Sequence, residues 1–234
     1  MGGPRRALTD LGRPVAHELD TQSVDSDEIV EVPLHDAAIL RIDSSEWKRV
    51  PCRRLVDART GDAPYWPTTV KLAATGRGLW IHFACAAGTI IATMTEYKDK
   101  VWQEDAVEVY LQPPGDSCMY EFQLSPIGTC RDLRVIRPWS PDRYFDDTWS
   151  CDGLETATAL HGRDTGACEG WQAMFGIPWR AVGRGAGAEP GWRIGVYRIE
   201  RDPLEYSCTP RLCNSRPRSS RRAVSCVSTI LLPT

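Results

Sequence analysis

The side chains best equipped for chemistry lie between Trp102 and Gln123. Trp102 is followed by Gln103, Glu104 and Asp105, and then by a run in which Val107, Val109 and Leu111 alternate with Glu108 and Tyr110. Successive side chains of an extended chain point to opposite faces, so Glu108 and Tyr110 share a face turned away from the valines. A second alternating run sets Glu121 and Gln123 against Tyr120, Phe122 and Leu124. An indole offers a flat apolar platform, and carboxylates and amides beside it accept and donate hydrogen bonds, which is the make-up of a small-molecule site. The carboxylates also admit a hydrolytic reading. Glycoside hydrolysis needs two of them across a cleft, about 5–5.5 Å apart for retention or about 6.5–9.5 Å for inversion. Glu108 and Glu121 are the one strand pair that offers itself, and nothing else in the sequence marks them for that role.

Other candidate groups are weaker. Asp142, Asp146, Asp147 and Asp152 form an acidic stretch around Tyr144. Loop carboxylates bind calcium, but these lack the ordered ligand spacing of an EF-hand. The expectation is no cofactor, with calcium as the one ion kept in view. His82 alternates with Ile81 and Phe83, and a lone histidine there reads as a surface or hydrogen-bonded residue. Trp66, Trp139 and Trp149 lie in loop-like stretches and read as edge or core packing, with a second platform as the alternative.

Positioning these groups requires a core, and the chain can build one. Its 234 residues with 42% hydrophobic content suit one sizeable domain. A net charge of −3 argues against nucleic-acid or membrane binding by bulk attraction. Residues 1–20 carry arginines and no apolar run, so the expectation is a soluble, cytoplasmic protein without a secretory signal. The nine cysteines are odd in number, widely spaced and without a CxxC pair, which reads as free thiols in a reducing compartment.

Strand-like segments follow one another at 37–42, 69–73, 79–85, 107–111, 119–124, 133–136, 154–160, 170–179 and 192–199. The stretch 55–67 reads as a loop, and 181–190 as a Gly/Ala loop with room for a short helix. No long segment keeps a 3.6-residue period. The pattern predicts an all-β fold, an antiparallel, jelly-roll-like β-sandwich of two packed sheets with few helices. Residues 1–35 read as a disordered lead and 36–206 as the sandwich. Residues 207–234 read as a basic, Cys/Arg/Ser-rich tail, whose loss of acids and aromatics also fits a shifted reading frame.

The segment YKDKVWQEDAVEVYL, 97–111, resembles the signature of the family 9 carbohydrate-binding modules and their DOMON-like relatives. The pairs at 68–72 and 79–83, the strand at 120–124, the IPW-ending strand at 171–179 and the strand at 192–200 are similar to the family's in order and spacing. The resemblance implies a two-sheet β-sandwich that binds a mono- or oligosaccharide without catalysis. Such modules hold a sugar ring between two tryptophans. Trp102 matches the first of these, Glu108 the acidic hydroxyl partner, and Gln123 the position of a basic side chain, with Tyr110 on the same face. No tryptophan follows Trp192, so the second clamp residue and the family's closing strand lack a counterpart. Three alternatives stand beside this reading. One is a module associated with glycoside hydrolases and annotated with carbohydrate catabolism. Another is a haem-binding redox domain using a pair among His82, His161, Met94, Met119 and Met174. The third is a sandwich without a ligand.

Overall fold

The computed structural model describes residues 29–37, 39–162, 169–183, 191–209 and 228–231; for residues 29 and 228–231 it describes the backbone only. Fourteen strands run through them. They are β1 (Ile29–Glu31), β2 (Arg53–Arg54), β3 (Val56–Asp57), β4 (Thr68–Ala74), β5 (Gly78–Ala86), β6 (Ala106–Gln112) and β7 (Cys118–Leu124). The rest are β8 (Cys130–Ile136), β9 (Tyr144–Asp146), β10 (Glu155–His161), β11 (Gly170–Pro178), β12 (Trp192–Arg201), β13 (Leu204–Cys208) and β14 (Ser228–Leu231). The only helical turns among the described residues are short 3₁₀ turns, so none is long and apolar enough to cross a membrane.

Two sheets face each other, as the alternating pattern predicts. The larger runs β1-β14-β12-β6-β7-β8-β9, with β13 beside β12 and β3 beside β13. The smaller runs β10-β11-β5-β4-β2. All pairings are antiparallel except β1 with β14. The core follows from the two-residue period. Val70, Leu72, Leu79, Ile81 and Phe83 point inward from the smaller sheet, and Val107, Val109, Leu111, Phe122, Ile194 and Val196 from the larger. Phe175 bridges the layers, with ring centroids 6.1 Å from Phe83 and 6.5 Å from Phe122. Trp80, Trp171, Trp179 and Trp192 are buried, in keeping with a structural role. Trp149 packs on Tyr120 and Phe122.

Several expectations need correction. Residues 37–42 form no strand among the described residues; they lead into a 3₁₀ turn at Ser45–Lys48. Their apolar side chains serve a different purpose, since Leu40 and the turn's Trp47 cover the outer face of the smaller sheet. The sandwich also reaches beyond 36–206. β1 lies within the expected lead, β13 runs to Cys208, and β14 lies within the expected tail. β14 pairs with β12 at Trp192–Ile194 and with β1, so this length of β12 has a neighbour on the side away from β6. The short helix allowed within 181–190 is a 3₁₀ turn at Trp179–Val182, and 184–190 lie outside the described residues. Cys52, Cys85, Cys118, Cys130 and Cys151 are free thiols, and Cys168, Cys213 and Cys226 lie outside the described residues.

Candidate functional site

The outer face of the larger sheet gathers the predicted polar residues. On β6, Glu108 sits in register between Gln123 of β7 and Tyr197 of β12. One rung on, Tyr110 lies between Glu121 and Gly195. Arg131 of β8 is the partner of Gln123. Strand alternation therefore brings Glu108, Tyr110, Glu121 and Gln123 onto one patch, as the sequence suggests. It adds Tyr197, whose ring meets that of Tyr110 edge to face at 5.4 Å. It also adds a cation, Arg131, one strand beyond the position where the family resemblance places one.

The sequence left Glu108 facing either a binding face or water. The structure buries it, at 5% exposure, with Glu121 also at 5% and Gln123 at 2%. Tyr110 donates its hydroxyl proton to Glu108 Oε2 at 3.4 Å, and Gln123 Nε2 donates to Glu121 Oε1 at 2.5 Å. Burial, and then the neighbouring Glu121 charge, push the Glu108 carboxyl up to about 8. Burial likewise raises Glu121, against the hydrogen bonds from Gln123 and Tyr110. Two carboxyl groups so placed cannot both ionise at neutral pH, so the pair retains a proton. A neutral carboxyl donates as well as accepts. Among the described residues, Gln123 Oε1 has no hydrogen-bond partner. A buried unpaired carbonyl costs about 1–3 kcal/mol.

Trp102 lies in the 3₁₀ turn Val101–Gln103 that feeds β6, and is 42% exposed. The acidic residues after it, Glu104 and Asp105, are buried braces. Asp105 accepts the backbone N–H of Ile91 at 2.7 Å and of Arg201 at 2.8 Å. Glu104 accepts from the Thr93 backbone and hydroxyl and from the Met94 backbone. Burial alone would raise the Glu104 carboxyl, but these bonds outweigh it and hold it below its ordinary value. Arg201 completes the brace, with Nη2 donating to the Trp102 carbonyl at 2.5 Å and Nε to that of Glu104 at 3.4 Å. Its charge also lowers the Glu108 carboxyl, against the larger upward push of burial. Arg201 was not singled out from sequence. Its only local signal is its place in alternation with Ile199 and Tyr197, and nothing local says that β12 runs beside β6.

The remaining candidates separate. Trp139 is 46% exposed, donates its indole N–H to Gln112 Oε1 at 3.2 Å and lies under the Arg193 guanidinium, 5.8 Å from ring centre to Cζ. Of the acidic stretch, Asp146 pairs with Arg134, Asp147 with Arg131 and Asp152 with Arg180, so these carboxylates turn to three different cations. No group of three or more His, Cys, Asp or Glu with metal-holding geometry occurs among the described residues. His82 is buried against Trp47, ring centroids 5.1 Å apart, and burial lowers its pKa.

Comparison with known proteins meets this geometry. Residues 42–133 match the model of carbohydrate-binding family 9, the stretch that holds Trp102, Glu108, Tyr110 and Gln123. Among solved structures, the fold is similar to a protein from Bacteroides uniformis ATCC 8492 assigned provisionally to carbohydrate binding, at 16% identity and a TM-score of 0.69. That likeness covers 89% of this chain and all of the other. It is also similar to a family 9 module from Caldicellulosiruptor kristjanssonii, crystallised with cellotriose and with glucose. Both comparisons give 12% identity and cover 88% of this chain; the TM-scores are 0.56 and 0.55, with 93% and 96% of the other chain covered. No curated protein matches the sequence. The family matched over this stretch is a carbohydrate-binding one.

Proposed function

We propose that this domain binds a mono- or oligosaccharide without transforming it, with Trp102 as an aromatic platform and Glu108, Tyr110 and Gln123 as hydroxyl partners. One observation carries the reading. The backbone of an exposed tryptophan is tied down, by Arg201 on its carbonyl and by the Glu104 and Asp105 braces that follow it, just before the strand that carries the buried polar residues Glu108 and Tyr110. An exposed indole left for water alone would gain nothing from so much support. A sugar ring would use both parts, its C–H face on the indole and its hydroxyls toward carboxyl and amide. The family match over 42–133 and the glucose and cellotriose complexes of similar modules support the choice of ligand. On this reading the domain serves carbohydrate catabolism as a binding companion of hydrolases.

Calorimetry and tryptophan fluorescence with glucose, cellobiose and xylobiose test it, on wild type beside Trp102→Ala. The expected result is saturable binding that the substitution abolishes. A folded wild type that binds none of the three sugars would leave a sandwich without a saccharide ligand.

A further inference from the structure

The face that carries Glu108 and Tyr110 meets an exposed tryptophan at the C-terminal end of β6. Gln112 is the last residue of that strand, two beyond Tyr110 and four beyond Glu108. Strand alternation therefore sets all three side chains on one face. The pairing with β12 repeats this, with Tyr197 beside Glu108, Gly195 beside Tyr110 and Arg193 beside Gln112. Trp139 lies in the connection from β8 to β9, where Arg137, at a φ of 52°, donates its backbone N–H to the Ser117 carbonyl at 3.0 Å and turns the chain. From there the Trp139 indole N–H donates to Gln112 Oε1 at 3.2 Å, and the Arg193 guanidinium stands over the ring, 5.8 Å from its centre. Gln112 is itself buried and held, its Nε2 donating to the Asp116 carbonyl at 2.9 Å. Two side chains of the same outer rung thus seat the indole, and 46% of the residue stays exposed.

We propose that Trp139 is a further saccharide-stacking residue, and that the ligand is an oligosaccharide lying along β6 from Glu108 toward Gln112. This rests on the saccharide reading above. The indole N–H is already spent on Gln112, so what Trp139 offers a ligand is its apolar ring. Such a surface suits the C–H side of a sugar ring, while Tyr110 and Glu108 supply hydroxyl partners farther along the same face. A ring fixed at its N–H and by a stacked guanidinium loses little freedom on binding, which favours it as a contact. Four residues of extended strand separate Glu108 from Gln112, about 13 Å. That is more than one sugar ring spans, so the unit on Trp139 and the unit at Glu108 belong to one chain of rings. A single pyranose would leave Trp139 unused.

Calorimetry on the full chain with glucose and cellotetraose tests this, using wild type, Trp139→Ala, Trp139→Phe, Trp102→Ala and a control, Tyr65→Ala. Tyr65 is 68% exposed and its backbone is bonded to Glu205, which pairs with Glu200 near the other end of β12 from Arg193. Thermal unfolding checks each variant, and Trp139→Leu replaces Trp139→Ala if the latter fails to fold. The expected result is about a tenfold loss of cellotetraose affinity in Trp139→Ala, with glucose affinity within about twofold of wild type, as loss of one aromatic contact implies. Trp139→Phe keeps a ring and should lose less than Trp139→Ala, and Tyr65→Ala should stay within about twofold of wild type. Unchanged cellotetraose binding by Trp139→Ala overturns the proposal, as does an equal loss for both sugars. A wild type that binds cellotetraose no more tightly than glucose overturns it as well. If Trp102→Ala still abolishes binding in any of these cases, the saccharide reading survives alone. If wild type binds neither sugar, both fall.

Discussion

The two sheets of this sandwich treat their outer faces in opposite ways. Off the smaller sheet point Ala73, Trp80 and Met174, and the segment 40–50 folds over them with Leu40, Trp47 and Val50. The Trp47 indole N–H donates to the Arg41 carbonyl at 2.8 Å, and Lys71 Nζ donates to the Trp47 carbonyl at 2.5 Å, so the cover is tied down at its centre. Off the larger sheet point Glu108, Glu121 and Gln123, buried beside a third hydrophobic cluster of Tyr110, Met119, Leu133, Val135, Tyr197 and Cys208. One face is closed by a second hydrophobic cluster that adds to stability. The other holds two carboxyl groups and an unpaired amide oxygen at a cost. A protein keeps such a cost where the groups serve a purpose beyond folding.

Four substitutions break or sharpen this contrast. Trp80→Ala should have the largest effect. Trp80 fills the closed face, donates its indole N–H to Thr75 Oγ1 at 3.0 Å, and packs so closely on Gly176 that a Cβ there would lie 2.3 Å from the ring. Its removal should lower stability by about 3–5 kcal/mol in urea unfolding, the range for large aromatic deletions. A folded remainder should keep its sugar affinity; loss of affinity at retained fold would mean that the faces are coupled.

The carboxyl pair comes next. Glu108 is raised to about 8 in the folded state, above its ordinary 4.5. The native state therefore binds more protons than the unfolded state between these values, and stability falls as pH rises through that window. The carboxyl is thus least costly below about pH 4.5 and most costly above about pH 8. Glu108→Gln should flatten this slope and gain on the order of a few kcal/mol relative to wild type at pH 8.5, and nothing near pH 4.5. Unfolding measured at several pH values decides it; parallel curves for the two proteins would show that the pair shares no proton.

Trp102→Ala inverts the pattern expected of Trp80→Ala. Partly exposed, it should change stability by less than about 1 kcal/mol while sugar affinity falls at least about tenfold. A large stability loss instead would make it an edge-packing residue. Arg201→Ala should have the smallest effect, about a twofold to fivefold loss of affinity from a looser platform. The Trp102 fluorescence contribution should become more accessible to an acrylamide quencher, and Arg201→Lys should restore part of the affinity. Weakened binding without a change in quenching would argue that Arg201 touches the ligand and does not position the platform.

The fold was readable because strand alternation is a local pattern. The runs 69–73, 79–85 and 107–111 show it plainly, and each lies within a strand of the structure. The segment 37–42 misled because its apolar residues serve as a lid and not as a ladder, and composition alone does not separate the two. The patch was half readable. Glu108, Tyr110, Glu121 and Gln123 sit on two strands joined by a short connection, so their shared face follows from their spacing. Arg201 and Tyr197 did not emerge, because β12 reaches the patch only through its pairing with the distant β6.

By itself the sequence determined the main alternating strands, the two-sheet layering and which of their side chains turn from the core, since a two-residue period is a property of the extended backbone. Whether an outward face meets water was decided by tertiary structure alone. Arg201 contacts Asp105 and Trp102 from 96 and 99 residues away, and that approach makes the acidic signature a brace. Burial of Glu108 beside Glu121 is decided in the same way, and with it the retained proton. The physical reason is range. Alternation is enforced by neighbours along the chain, while desolvation and its effect on charge depend on every atom nearby in space, whatever its place in the sequence.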